Sequence, residues 1–244
     1  MTEGADRPGQ RRRDRVRRAA ARAAEIVLPG RCLCCGAWMF GEPDPTVPVC
    51  ARCRSGLVPI AEPRCPGCGM PLLVEEGRCT RCRAAGYAFS SSAAVFAYRG
   101  MVRDLVIAFK SGGRRRLAAL FAPFIARLLA ELRPGLPVVP VPARPGRRGP
   151  DAVELLAREL ERRHGVRVLR LLRRGAGVPQ KSLSYPERLR NLRGRIGPAP
   201  RARPAGALVL LDDVFTTGAT VDACARTLIA AGAARVDAVT LAVD

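Results

Sequence analysis

The pattern of apolar and polar positions divides the chain into three regions. Residues 1–28 are rich in arginine and poor in apolar side chains, which predicts a basic tail that is disordered or helical. Residues 29–85 hold short apolar runs interrupted by proline, glycine and cysteine, too few to build a core alone. From residue 86 to residue 244 the apolar runs are longer and periodic, which predicts the main folded domain.

Within residues 86–244, predicted strands and helices alternate. In chain order they are a strand and turn at 94–100, helices at 101–110 and 117–132, a strand at 137–142, a helix at 152–163, strands at 166–172 and 207–211, a helix at 220–231 and a strand at 236–243. Such alternation is typical of an α/β fold, so we expect a mostly parallel sheet flanked by helices, preceded by a small cysteine-rich module.

Eight cysteines form four C-x₂-C pairs: Cys32/Cys35, Cys50/Cys53, Cys65/Cys68 and Cys79/Cys82. Two thiolates at this spacing can bind one tetrahedral ion, so the four pairs predict two structural Cys₄ zinc sites. Pairing in chain order is the simplest arrangement, but an interleaved one has the same spacing and stays open. Disulfides or a redox role are the alternatives, and four repeats of one spacing favour zinc. Cys34 is surplus to both sites.

Charge and hydropathy limit the classes of partner and the compartment. The formal net charge is +21, and such a positive field attracts phosphate-bearing partners, from small metabolites to nucleic acid. No run approaches the roughly 20 apolar residues that span a bilayer. Charged residues also interrupt the N-terminal region where a secretion signal would be apolar, so we expect a cytoplasmic protein.

The stretch LVLLDDVFTTGAT, residues 208–220, ends an apolar strand in two adjacent carboxylates, Asp212 and Asp213. A turn containing Thr216, Thr217 and Gly218 then leads into a predicted helix. Backbone N–H groups at a helix start bind anions, and glycine permits the tight turn that a phosphate needs. Carboxylates beside such a cradle suit a sugar phosphate, because they accept hydrogen bonds from vicinal hydroxyls. The alternative is an ordinary capped helix with exposed acids.

This stretch resembles the phosphoribosyl-pyrophosphate (PRPP) motif of type I phosphoribosyltransferases, in which an apolar strand, two acidic residues and a Thr-Thr-Gly-x-Thr loop follow one another. Over residues 29–244 the chain resembles the competence protein F (ComF) family. The resemblance rests on the order of four features: the C-x₂-C pairs, PVPARPGRRG at 140–149, QKSLSYPERLRN at 180–191 and the PRPP-like motif. That family usually reads Arg-Gly-Phe-Asn-Gln where this chain has RGPDA at 148–152, and here we expect Asp151 to cap the next helix.

The resemblance implies a type I phosphoribosyltransferase-like fold and a set of site residues. Asp212 and Asp213 would be the catalytic pair, holding the ribose 2′- and 3′-hydroxyls. The remaining assignments are the 5′-phosphate cradle (Thr216, Thr217, Gly218, Ala219, Thr220), the pyrophosphate loop (Ala143, Arg144, Arg147, Arg148) and a lid (Gln180, Leu183, Arg188, Asn191). For Lys110 we weigh a phosphate ligand across the cleft against a solvated helix end, and prefer the second.

The resemblance further implies displacement of pyrophosphate from C1 of PRPP, with Mg²⁺ bound alongside the substrate, in a process linked to uptake of transforming DNA. One alternative is a non-catalytic protein on the same fold that senses PRPP or contacts single-stranded DNA and a helicase-type ATPase. Another alternative is a transferase that salvages a nucleobase or related amine. Aromatic residues are only 5% of the chain, which makes a stacking surface for single strands sparse.

Overall fold

The computed structural model describes residues 30–42, 44, 46–72, 77–112, 116–145, 151–175 and 195–244. The chain divides into two compact units, Met1–Leu57 and Val58–Asp244. This division falls inside the cysteine-rich region. The first four paired cysteines therefore belong to one unit and the last four share a unit with the α/β domain. In the described part of the chain, no helix has both the length and the apolar character needed to cross a bilayer.

Twelve helices and strands are found in the described residues. In chain order they are α1 (Ala51–Ser55), α2 (Thr80–Ala84), β1 (Ser92–Ala97), α3 (Gly100–Gly112), α4 (Arg116–Leu132), β2 (Val138–Pro140), α5 (Ala152–His164), β3 (Leu172–Arg174), β4 (Ile196–Pro198), β5 (Ala207–Phe215), α6 (Ala219–Ala230) and β6 (Arg235–Val243).

The α/β domain is built on a parallel sheet with the strand order β1-β6-β5-β2. Its central strand β6 is buried throughout except at Arg235, as expected for a strand covered on both faces. Helices α4 and α5 contact each other and the sheet, and α6 contacts β5 and β6. The predicted α/β fold class, with a mostly parallel sheet flanked by helices and a preceding cysteine-rich module, is confirmed.

Two predicted strands differ in extent from the observed ones. In the predicted strand 166–172, only Val168 makes a parallel bridge, to Val138 of β2, and the chain then turns into the antiparallel pair β3–β4. The strand predicted to end at residue 211 continues to Phe215, because β6 remains paired with it to that point. Asp151 caps α5 as expected, since its carboxylate accepts hydrogen bonds from the Val153 and Glu154 N–H groups at 2.9 and 3.2 Å.

The segment that carries the last four paired cysteines (Cys65, Cys68, Cys79 and Cys82) lies along β1, the edge strand of the sheet. The Ile60 N–H donates to the Val95 carbonyl, and the Ser92 N–H donates to the Pro66 carbonyl, both at 2.8 Å. Gly69 has φ +78°, and a Cβ there would lie 2.4 Å from a backbone nitrogen of β1. The cysteine-rich segment thus occupies hydrogen-bonding groups that an uncovered edge strand would leave available for another chain.

Candidate functional site

A cleft opens where β2 and β5 separate. The two strands pair as far as Pro140 opposite Leu211, and the Val141 N–H donates to the Leu211 carbonyl at 2.9 Å. Beyond this point the chain after β2 leaves the sheet, whereas β5 continues to Phe215 beside β6. Crevices of this kind, at the carboxyl ends of parallel strands, are where open α/β sheets bind ligands.

The cleft has a volume of about 630 Å³, within the usual range for small-molecule sites. Side chains from six separate parts of the α/β domain surround it. They are Tyr98, Lys110, the segment 141–145, Asp151 with Val153, Arg174, and the β5 end with its loop (Asp212, Asp213, Val214, Thr216, Thr220).

Asp212 and Asp213 are partly buried at the floor of the cleft, and each accepts a hydrogen bond from the following residue. The Asp213 N–H donates to Asp212 Oδ1 at 2.8 Å, and the Val214 N–H donates to Asp213 Oδ1 at 2.7 Å. Burial, followed by repulsion from Asp213, raises the pKa of Asp212 to about 7, against the lowering effects of the Asp213 N–H and Lys110. The two carboxylates therefore repel each other, and a hydrogen-bond donor or a cation beside them reduces this repulsion.

Lys110 of α3 supplies a cation to this pair. Its Nζ lies 2.9 Å from Asp213 Oδ1, and its side chain is 34% exposed. The preferred interpretation of Lys110 as a solvated helix end is therefore wrong, because the side chain faces the acidic strand end across the cleft. The sequence could not indicate this contact, because Lys110 and Asp213 are far apart in the chain and the pattern of α3 does not show which strand end the helix faces.

The predicted phosphate cradle forms the turn between β5 and α6. Thr216 and Thr220 line the cleft, whereas Gly218 and Ala219 are buried behind them. Gly218 has φ +74°, which favours glycine, and a Cβ there would lie 2.6 Å from the Phe215 ring. Because α6 begins at Ala219, the turn presents the positive end of a helix to the cleft.

Two of the described arginines also line the cleft. Ala143 and Arg144 of the predicted pyrophosphate loop line the cleft, while Arg147 and Arg148 lie outside the described residues. Arg174, at the end of β3, was not singled out by the sequence. Burial lowers the pKa of Arg174, and repulsion from Arg144 lowers it further, whereas attraction to Asp212 raises it.

The predicted lid residues Gln180, Leu183, Arg188 and Asn191 also lie outside the described residues. The ends of that segment are described. They belong to the β3–β4 pair, where the Gly175 N–H donates to the Arg195 carbonyl at 2.7 Å. Gly175 and Arg195 are thus adjacent, and Arg174 beside them lines the cleft.

The eight paired cysteines form two four-sulfur groups, and pairing follows chain order rather than the interleaved alternative. In each group the Sγ atoms lie within 4.8 Å of one another, with 3.8 Å between Cys35 and Cys50 and between Cys68 and Cys79. Tetrahedral zinc with Zn–S bonds of about 2.3 Å requires sulfur separations of about 3.8 Å. Both groups therefore fit structural zinc. Cys34 belongs to neither group.

The two groups repeat one local design. A C-x₂-C turn is closed by N–H groups of Gly36 or Gly69, which donate to the first cysteine's carbonyl, and the third cysteine precedes a five-residue helix, α1 or α2. They differ in burial. All four cysteines of the second group are buried, whereas Cys35 of the first is exposed.

These features define a zinc-binding α/β protein with an acidic cleft floor at the end of its central strands. Residues 23–83 match the double zinc ribbon domain. The chain is 30% identical over 224 residues to the DNA utilization protein YhgH of Salmonella typhi, covering 86% of this chain and 96% of that protein. It is 29% identical over 210 residues to competence protein ComFC of Bacillus subtilis (strain 168), covering 81% and 85%. The chain belongs to the competence protein F (ComF) family.

Proposed function

We propose that the protein binds PRPP in the β5 cleft and transfers its phosphoribosyl group in a process connected with uptake or use of DNA. The observation that carries the proposal is the position of the Asp212–Asp213 pair, directly beside the helix-terminal turn 216–220. Carboxylates recognise vicinal hydroxyls and the turn recognises a phosphate, so a ribose 5-phosphate group satisfies both. The names of the two relatives, a competence protein and a DNA utilization protein, support the connection with DNA.

In this proposal, the two ends of the cleft have different roles. Asp212 and Asp213 accept hydrogen bonds from the ribose 2′- and 3′-hydroxyls. The hydroxyls of Thr216 and Thr220 and the N–H groups of the turn bind the 5′-phosphate. These contacts fix the ribose so that C1 faces Lys110, Arg144 and Arg174, and positioning of this kind accounts for much of the rate enhancement in transfer reactions.

The three cations stabilise the leaving group in this proposal. As the bond between C1 and the pyrophosphate oxygen breaks, positive charge develops on the ribose and negative charge on pyrophosphate. Lys110, Arg144 and Arg174 all line the cleft, which supports a role for them in neutralising the latter. The carboxylate oxygens of Asp212 and Asp213 are of the hard type that suits Mg²⁺, directly or through water. When bound with PRPP, Mg²⁺ supplies further charge neutralisation at the pyrophosphate.

The decisive test is calorimetric titration of PRPP with Mg²⁺ into the protein and into an Asp212→Asn/Asp213→Asn variant. We expect binding by the first and loss of at least tenfold in affinity in the second, with zinc content and circular dichroism unchanged. The control is Asp104→Asn, whose carboxylate is exposed on α3. Equal affinity in all three proteins, or no binding by the parent, would refute the proposal.

A second candidate function, binding of single-stranded DNA, is favoured by the surface of the first zinc ribbon. Trp38 and Phe40 are 54% and 65% exposed, with ring centroids 6.2 Å apart, and the Arg31 guanidinium lies 4.3 Å above the Trp38 ring. Exposed aromatic rings beside a guanidinium stack unpaired bases, and the net charge of +21 favours the phosphate backbone.

Trp38 is the single tryptophan, so its fluorescence reports stacking directly. If single-stranded DNA binds here, it will quench this fluorescence, and the affinity will fall steeply with salt. Trp38→Leu should weaken binding, whereas exposed Val58→Leu in the other unit should not. An affinity that does not change with salt would refute this candidate. A helicase-type ATPase would then no longer be expected as a partner on the ground of shared DNA binding.

A catalytic role in transfer and a role as a PRPP sensor are separated by pyrophosphate release. In the first case pyrophosphate appears when the protein, PRPP and an acceptor are mixed, whereas a sensor binds PRPP without releasing it. If one nucleobase or amine alone supports release, the salvage alternative is favoured over a role in DNA uptake.

A further inference from the structure

The second zinc ribbon is joined to the phosphate turn by a short segment, residues 86–88, which follows α2 and its ligand Cys82. The four cysteines of this ribbon belong to the same hydrophobic core as β5 and the start of α6. The first ribbon belongs to the other compact unit. The chain therefore contains two similar zinc sites, of which one is built into the core that supports the cleft.

Tyr87 makes the direct connection to the turn. Its hydroxyl donates a hydrogen bond to the Thr217 carbonyl at 2.9 Å, and a Cβ at Gly218 would lie 3.0 Å from its ring. The ring stacks on Phe89 with a centroid distance of 4.6 Å and meets Phe215 edge-on at 6.1 Å. The position of the turn is thus fixed by a side chain only five residues beyond a zinc ligand.

A second connection joins residues 86–88 to the first turns of α6. The Ala88 N–H donates to Asp222 Oδ1 at 2.6 Å, although Asp222 is buried. Arg226 donates through Nε to Asp222 Oδ2 at 2.9 Å and through Nη2 to the Gly86 carbonyl at 3.0 Å. These bonds hold the helix terminus that faces the cleft against the backbone that leaves the second ribbon.

We infer that zinc at the second site (Cys65, Cys68, Cys79 and Cys82) holds the turn 216–220 in its anion-binding conformation through residues 86–88, with Tyr87 as the positioning residue. Zinc occupancy and binding of a 5′-phosphate group then strengthen each other, because coupling between two sites is reciprocal. The first zinc site has no part in this coupling. The statement about the turn stands independently of the proposed function, whereas the statement about the phosphate rests on it.

Hydrogen exchange tests the turn without any ligand. In the zinc-loaded full chain, Tyr87→Phe removes one hydrogen bond and keeps the ring, and we expect exchange of the amides at 217–222 to become about fivefold faster. Cys82→Ser should accelerate the same amides, while Cys35→Ser, at the first site, should leave them unchanged. Loss of a zinc ligand in Cys82→Ser also destabilises the domain, so the result for Tyr87→Phe decides whether the inference holds. If it leaves exchange at 217–222 unchanged, the inference is refuted.

Calorimetry with ribose 5-phosphate and with inorganic pyrophosphate separates positioning from a general loss of structure. Tyr87→Phe should weaken ribose 5-phosphate about fivefold and change pyrophosphate less than twofold, because only the first ligand occupies the turn. Equal weakening of both ligands would contradict a positioning role. If the parent protein does not bind PRPP while Tyr87→Phe still accelerates exchange at the turn, the proposed function is refuted and the inference about the turn is supported.

Zinc release provides the reciprocal measurement. When a colorimetric chelator extracts zinc from the full chain, we expect ribose 5-phosphate to slow release of one of the two ions and leave the other unchanged. The protected ion should be the one that remains in Cys35→Ser, which identifies it as the second site. Protection of both ions, or of neither in a protein that binds ribose 5-phosphate, would contradict the coupling.

Discussion

The Lys110 ammonium and the Asp213 carboxylate lie 2.9 Å apart and join helix α3 to the end of strand β5 across the cleft. The two residues are far apart in sequence, and their contact places a cation at the acidic end of β5. A ligand that donates hydroxyl hydrogen bonds to Asp213 competes with this ion pair. In the proposed function, Lys110 then contacts the pyrophosphate of the ligand.

We predict that Lys110→Met raises the pKa of Asp212 further and weakens PRPP binding about tenfold, because loss of one charged hydrogen bond typically costs 1.5–3 kcal/mol, about one to two decades. The pKa is measured by NMR of the carboxyl carbon and the affinity by calorimetry. Arg103→Met on the same helix is the control, since its side chain is 57% exposed and pairs with Asp104. An unchanged Asp212 titration in Lys110→Met would contradict the prediction.

The pH dependence of stability should report the burial of Asp212. Its pKa is raised from 3.8 to about 7, so the native state holds a proton that the unfolded chain has released. Stability therefore falls as the pH rises between about 4 and 7, and the full cost is present above pH 7. Asp212→Asn removes this cost, and we expect it to stabilise the domain at pH 8 by about 1–2 kcal/mol, less than a fully buried group would give because the residue is partly exposed.

Urea unfolding at pH 5.5 and pH 8 checks this expectation, within a range that avoids loss of zinc through thiolate protonation. The gain from Asp212→Asn should be larger at pH 8 than at pH 5.5. Asp104→Asn serves as the control and should show no such difference. A gain in stability that is equal at both pH values would contradict the prediction, because it would mean that the pKa of Asp212 is not raised in the native state.

Much of the fold was predictable because its signals are local. The C-x₂-C spacing predicts the zinc sites, and helical periodicity predicts α4 and α5 within a few residues. The acidic pair and its turn lie within thirteen consecutive residues, so one stretch of sequence indicates one edge of the cleft. The length of β5 was not predictable in this way, because Asp212–Phe215 are held extended by β6 and not by their own apolar pattern.

The cleft contacts that the sequence did not indicate come from distant segments. Lys110 and Arg174 belong to α3 and β3, and neither carries a pattern that relates it to Asp212. Pairing of the four C-x₂-C turns was equally open, because spacing fixes the ligands of a turn but not its partner. Tyr87 lies just after the boundary predicted between residues 85 and 86, yet its side chain contacts Phe215 and the turn 216–220.

Substitution of Gly218 separates backbone strain from steric overlap. Gly218→Ala combines φ +74° with a Cβ 2.6 Å from the Phe215 ring, so we expect a loss of about 2–4 kcal/mol in stability and loss of ribose 5-phosphate binding. Gly206→Ala is the matched control, because it has φ +62° and open space around the Cβ, and it should cost about 1–2 kcal/mol. Equal losses in the two variants would mean that the Phe215–Tyr87 packing yields to a methyl group.

Arg174 should recognise the pyrophosphate end of the ligand. Its guanidinium lines the cleft in a region where burial and Arg144 lower its pKa, so an incoming dianion relieves a repulsion that already exists. We predict that Arg174→Gln weakens binding of inorganic pyrophosphate about tenfold, the loss expected for one charged hydrogen bond, and binding of ribose 5-phosphate less than twofold.

Arg173→Gln is a closely matched control, because Arg173 is exposed and donates to the Pro198 carbonyl at 3.1 Å. If both variants weaken pyrophosphate equally, long-range attraction by the net positive charge explains the effect and Arg174 has no specific contact with the ligand. A selective loss in Arg174→Gln would instead assign the proposed leaving-group end of the cleft to β3.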